Sequence, residues 1–281
     1  MPWRGGGAAP RRRPNVLAGF GSLVWLVLVG LPLYVLLIAT FRTRADYSTE
    51  GPLKPPAHWT LRNYLTDLST GFGQDFLNTL TVTVGVVAIV LLVVPPLAYA
   101  IVRARGRATG WVFRLFLLGL AIPAQAVIVP MFYVISKTGL YDHLIGVILP
   151  TAAFCLPVCT LVLTGAMRDI SPELYEAMAM DGASPARVFR QLVLPLSKGG
   201  LSSITVFAAL QAWNGFLFPL ILTQSDSTKV ITLGLYEFQT EHGVDVPGLL
   251  SAVVLSVLPV FVVYLFARRA LVQGLTGVGG K

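Results

Sequence analysis

Six long apolar stretches constrain this chain more than any other feature. They fall at residues 16–41, 76–102, 111–136, 143–167, 199–223 and 246–267. Arg114 is the single Lys, Arg, Asp or Glu within them, and it stands near a stretch end, where a long side chain can snorkel. A bilayer core of ~30 Å needs about 20 apolar residues at 1.5 Å each, and every one of the six is long enough. The expected fold class is therefore all-α integral membrane protein with six transmembrane helices. Composition agrees: 12% of residues are charged and the mean hydropathy is +0.73, whereas soluble domains carry about a quarter charged residues.

The parts follow from the spans. Residues 1–15 read as a disordered cytoplasmic tail, 16–41 as the first span and 42–75 as an outer loop. Residues 76–267 form the transport core, with a long inner loop at 168–198, and 268–281 form a cytoplasmic tail. Arg11, Arg12 and Arg13 ahead of the first span resemble the start of a signal peptide. The apolar run is too long for one, however, and no small-x-small cleavage site follows. It reads as a retained span.

Orientation follows from Lys and Arg in short loops. With the N-terminus inside, inner segments hold Arg4, Arg11, Arg12, Arg13, Arg103, Arg105, Arg107, Arg114, Arg168, Arg187, Arg190, Lys198, Arg268, Arg269 and Lys281. Outer loops hold Arg42, Arg44, Lys54, Arg62, Lys137 and Lys229. Both termini are expected in the cytoplasm. The net charge of +8 is thus a topology signal, and no nucleic-acid partner is expected. Cys155 and Cys159 read as small residues of a packed helix, and the three histidines lack ligand spacing, so no metal site is expected.

An ionisable residue deep in a span is costly and kept for function. None lies deep here, which argues against a proton- or sodium-driven carrier and against a charged solute held by this subunit. The spans do carry proline: Pro95, Pro96, Pro123, Pro130, Pro157, Pro219 and Pro259 each remove a backbone donor, so kinks or local unwinding are expected. They also carry amides, with Gln125 in the third span and Gln211 and Asn214 flanking Trp213 in the fifth. Two readings stand for these residues. They are interhelical hydrogen-bond glue, or they line a path for a polyhydroxylated solute with Trp213 as a stacking face. No Ser/His pair, carboxylate pair or phosphate-binding loop is present. No enzymatic activity is expected of the chain, and energy for uphill transport must come from another polypeptide.

The inner loop 168–198 is punctuated like a pair of short helices. Ser171–Pro172 and Ser184–Pro185 each supply an N-cap followed by proline at the first helical position. Gly182 suits a left-handed stop, and Pro195 is expected to end the second helix. Helices of about ten residues are marginal alone, so each needs a surface. Val188, Phe189, Leu192 and Val193 share one face of the second and suit packing on the spans. Leu174, Ala177, Met178 and Asp181 share one face of the first, which suits a foreign cleft. Every acid of the cytoplasmic side, Asp169, Glu173, Glu176 and Asp181, lies in this elbow.

These residues resemble the EAA loop of ABC-importer permeases, whose pattern is E-A-A, three residues, G, nine residues, then I-x-L-P. Glu176, Ala177, Met178, Gly182, Leu192, Leu194 and Pro195 match it, with Met178 for the third Ala and Leu192 for Ile. "AWNGFLFPLIL" and "ARRALVQGLTGVGGK" further resemble the carbohydrate-uptake branch, of the maltose/glycerol-phosphate type. The resemblance implies a bacterial cell membrane permease, multi-pass, paired with a second, different permease subunit. Two ATP-binding subunits dock below, and an extracytoplasmic solute-binding protein delivers sugar from above. ATP and Mg are used by the partner ATPase, and no cofactor is bound by this chain. Leu174, Glu176, Ala177, Met178, Asp181, Gly182, Leu194 and Pro195 would form the ATPase-docking element. A permease of the same superfamily for peptide or glycerol-phosphate is the alternative. A self-sufficient channel or a membrane scaffold would also fit six spans but leaves the elbow unexplained. The outer loop 224–245 reads either as a solvated loop or as a reach toward the binding protein.

Overall fold

The computed structural model describes residues 16–103, 106–240 and 243–276. The tail expected to be disordered, 1–15, lies outside the described residues. In chain order the helices are α1 (Val16–Ala39), α2 (Arg44–Glu50), α3 (Arg62–Ser69), α4 (Phe72–Arg103), α5 (Arg107–Leu118), α6 (Ile128–Lys137) and α7 (Leu144–Arg168). There follow α8 (Pro172–Met180), α9 (Pro185–Val188), α10 (Leu194–Leu196), α11 (Lys198–Trp213), α12 (Leu217–Leu222), α13 (Ile231–Gly234) and α14 (Val246–Thr276). A small antiparallel hairpin, Gln239–Thr240 with Gly243–Val244, interrupts the helical fold.

The core is built from α4, α7 and α11. On α4, Val82, Val86, Val90 and Val94 recur every fourth residue, so one face of the helix is buried along its length. They meet Ala152, Cys155, Cys159 and Leu163 of α7 and Ile204 and Ala208 of α11. Both cysteines are free thiols in this packing. In hydrocarbon, close packing rather than water exclusion holds helices together, and small residues permit it. Gly200 of α11 fits this role, since a Cβ there would stand 2.8 Å from Ala166 Cβ and 3.1 Å from Leu163 Cδ1. By contrast α1 presents nearly all its side chains outward.

Three helices, α1, α4 and α7, are long and apolar enough to cross a bilayer without interruption. The third and fifth expected spans are broken. The third turns through 94° between Thr109–Ala121 and Ala124–Lys137, at Ile122 and Pro123. Helix α11 ends at Trp213, and α12 follows after Asn214, Gly215 and Phe216. Pro95, Pro96, Pro157 and Pro259 lie inside helices that continue past them. The last helix also continues to Thr276, beyond the expected span end at Ala267.

The stretch between α1 and α4 is held by polar ties. Asn63 Nδ2 donates to the Thr40 and Arg42 carbonyls at 2.8 and 2.9 Å, which fixes α3 to the C-terminal end of α1. Ser251 Oγ of α14 donates to the buried Asp67 carboxylate of α3 at 2.5 Å. Burial pushes the Asp67 carboxyl above its ordinary pKa.

A candidate coupling elbow and membrane cleft

Local chemistry shapes the elbow. Ser171 takes the N-cap position of α8 and Pro172 the first helical position, although the Ser171 side chain makes no capping bond. At the other end Gly182 adopts φ +70°. The Gly182 N–H donates to Ala179 O and the Ala183 N–H to Met178 O, both at 3.0 Å, the paired bonds of a left-handed glycine stop. Ser184 Oγ then accepts from the Arg187 N–H at 3.4 Å and opens the second helix.

That second helix carries one turn its sequence does not announce: Phe189–Val193 is π-helical, with the Leu194 N–H donating to Phe189 O. The helix ends at Leu196, one residue past Pro195, and the chain turns through 75° into α11 at Ser197. A π turn widens the helix one turn before Pro195, where the ring would otherwise press on a carbonyl. Val188 and Val193 are buried and Phe189 and Leu192 half-buried, so this helix packs on the spans.

Helix α8 instead faces outward. Leu174, Glu176, Ala177, Asp181 and Gly182 are exposed, as is Met180 at 88%. Met178 is the exception on the expected face, since it is half-buried against the core. Of the second helix's pattern residues, Leu194 is half-buried and Pro195 exposed. The anchor that sequence reading missed is Tyr175, 6% exposed, with the Arg103 guanidinium 4.7 Å above its ring. Burial raises the Tyr175 pKa above its ordinary value.

The break between α11 and α12 opens a cleft of about 250 Å³, lined by Thr151, Phe154 and Cys155 of α7 with Gln211, Asn214, Gly215 and Phe218. Asn214 Nδ2 donates back to Leu210 O at 2.9 Å, while Gln211 and Asn214 are both exposed. Among the described residues no Lys, Arg, Asp or Glu lines this cleft. Of the expected lining, the structure unites Gln211 with Asn214. Gln125 is exposed beside Ala124, which lines the cleft. Trp213 lies away from this cleft: its Nε1 donates to Ser256 O of α14 at 3.1 Å, its ring meets Phe76 edge-on at 5.7 Å, and it lines a separate apolar cavity of about 520 Å³ with Phe76, Pro259 and Tyr264.

The loop after α12 is more anchored than its composition implied, for Val230 and Ile231 are buried. Asp142, at φ +60°, gathers its start. Its carboxylate accepts from the Gln224 and Ser225 N–H groups at 2.8 and 2.9 Å, from Thr228 Oγ1 at 2.7 Å, and from Ser225 Oγ. These donors hold the Asp142 carboxyl well below the usual carboxylate range.

Comparison with known proteins places these features. Residues 96–277 match the family described as binding-protein-dependent transport system inner membrane component. The diacetylchitobiose uptake system permease protein NgcG of Streptomyces coelicolor is 31% identical over 93% of this chain and 88% of its own. The arabinooligosaccharides transport system permease protein AraQ of Halalkalibacterium halodurans is 27% identical over 92% of this chain and 96% of its own. Among solved structures, a bacterial ABC transporter involved in import of the acidic polysaccharide alginate superposes with TM-score 0.80 at 21% identity, covering 93% of this chain and 99% of that one. The fold is therefore shared, and the elbow and the broken spans stand within the matched residues. The chain belongs to the family of binding-protein-dependent transport system inner membrane components.

Proposed function

We propose that this chain is a permease subunit of an ATP-driven, binding-protein-dependent sugar importer, working in a bacterial cell membrane with a second, different permease. The observation that carries this reading is α8: a short helix with a closed glycine stop, one buried anchor and an otherwise exposed face. Such a helix lacks enough of its own surface to bury, and a cleft on an ATP-binding subunit supplies it. Leu174, Glu176, Ala177, Asp181 and Gly182 make that contact together with Leu194 and Pro195 of the second helix, while Met178 seats α8 on the core. Six spans place both termini and the elbow in the cytoplasm, by the Lys and Arg bias. ATP and Mg act in two partner ATPase subunits, and this chain binds no cofactor.

Sugar is the cargo that the cleft suits. Gln211 and Asn214 offer amide donors and acceptors between aromatic rings, and Gln125 stands at the rim. Relatives named for diacetylchitobiose uptake and arabinooligosaccharide transport support the same class. The uncharged lining favours a neutral sugar over glycerol-phosphate, whose phosphate calls for a cation. Closure of the ATPases draws the coupling helices together, the spans rock outward, and the binding protein releases its sugar into the path.

The test is purification from native membranes followed by reconstitution. The chain is expected to bring down an ATP-binding subunit and a second permease, and to take up neutral sugar with ATP and the binding protein. A chain that transports alone, without any ATPase, overturns the reading.

A further inference from the structure

Helix α4 is gripped at both ends by side chains that hold other functional parts. At its inner end, Arg103 covers the Tyr175 ring of α8 at 4.7 Å. One turn earlier, the Tyr99 ring meets Phe189 at 5.2 Å, and its hydroxyl donates to Pro185 O at 3.4 Å. The elbow is thus held on both its helices by α4. Among the described residues the buried Tyr175 hydroxyl has no hydrogen-bond partner, and it is the ring that Arg103 covers.

At the outer end the grip is polar and fully satisfied. Asn78 Nδ2 donates to Ser227 O and Lys229 O at 2.9 and 2.7 Å, and Asn78 Oδ1 accepts from Gln74 Nε2 at 3.0 Å. Beside it Thr79 Oγ1 accepts from the Ile231 N–H at 2.9 Å. Both residues are under 5% exposed. A buried network with every donor matched fixes one register and resists sliding. From Asn78 to Arg103 the unbroken helix runs through 26 residues, about 39 Å at 1.5 Å each, enough to cross a bilayer core of ~30 Å.

We propose that α4 is the strut by which the coupling elbow and the outer loop after α12 sense each other. Tyr175 and Arg103 are the positioning residues at its inner end, and Asn78 and Thr79 those at its outer end. This rests on the proposed function. When α8 moves with its ATPase, the Arg103–Tyr175 contact moves the end of α4. The rod carries that displacement to Asn78, which shifts the loop where a binding protein arrives from outside. By reciprocity, docking outside changes the ATPase inside.

The experiment uses the complete reconstituted transporter. Asn78→Ala is expected to retain its ATPase subunits and to hydrolyse ATP at the wild-type basal rate. The change in that rate on adding sugar-loaded binding protein falls about fivefold or more, and uptake falls with it. Tyr175→Ala loses the same response with its ATPase still bound, Tyr175→Phe keeps it, and the double variant is no worse than either single one. Thr79→Val deletes the acceptor for the Ile231 N–H, together with the Oγ1 donation to Asp75 O within α4, and decides the matter if Asn78→Ala does not assemble. Unchanged response and uptake in an assembled Asn78→Ala or Thr79→Val transporter overturns the strut. Absence of any ATP-dependent uptake in the wild type instead overturns the proposed function beneath it.

Discussion

At the scale of single residues, backbone freedom and hydrogen bonding decide what each position tolerates. Gly182 stands at φ +70° with nothing within 4 Å of where a Cβ would be placed. Its replacement by alanine therefore meets no clash and only the left-handed penalty of about 1–2 kcal/mol. Amide exchange of the Gly182–Ala183 turn should speed up roughly tenfold in Gly182→Ala, by the usual 1.4 kcal/mol per decade, and less in Gly182→Asn. Asp142 gives a pH prediction. Its folded-state pKa lies below the ordinary Asp value of ~3.9. The hydrogen-bonded latch on Gln224–Thr228 is thus complete above that value and is lost as pH falls below it. Protease susceptibility of residues 224–228 should rise below about pH 4 in the wild type. In Asp142→Ala it should already be high at pH 7, since that variant loses all the acceptors and keeps the strained φ.

At the scale of elements, packing sets the cost. A methyl at Gly200 would sit 2.8 Å from Ala166 Cβ, so Gly200→Ala must push α11 off α7. Overpacking of that kind costs about 1–3 kcal/mol, and it should lower the thermal midpoint of the detergent-solubilised transporter, with Gly165→Ala, where the space is open, as the unaffected control. The elements also show where sequence reading succeeds. The elbow was legible because its signals are local: Ser–Pro starts, a glycine stop and a spaced apolar face all act within a few residues. The 94° break of the third span was foreseen only as a kink, because hydropathy records how greasy a segment is and not which way it runs. Pro195 does mark the end of the second helix to within one residue, but the π turn that precedes it has no local signature. Trp213 was grouped with its sequence neighbours Gln211 and Asn214. On a helix, however, adjacent residues point about 100° apart, and Trp213 turns to Ser256 instead. Asp142 and Asn78 gave no signal, because their partners lie 82 to 151 residues away in the chain.

At the scale of the molecule, a greasy scaffold carries one short exposed helix, α8. The scaffold's orientation is testable first. Single cysteines at positions 180 and 226 should label from opposite sides of sealed cells, position 226 from outside and position 180 only after permeabilisation. Labelling of both from one side contradicts the arrangement. The central claim is that α8 fits an ATPase cleft, and Ala177, exposed at the middle of that helix, addresses it most directly. A large charged side chain there leaves the fold's own contacts intact and fills the space the partner needs. The decisive measurement is therefore the amount of ATP-binding subunit that co-purifies with Ala177→Arg. The prediction is that this variant keeps its second permease, loses the ATP-binding subunits and takes up no sugar. A full complement of ATP-binding subunits with wild-type uptake would contradict it.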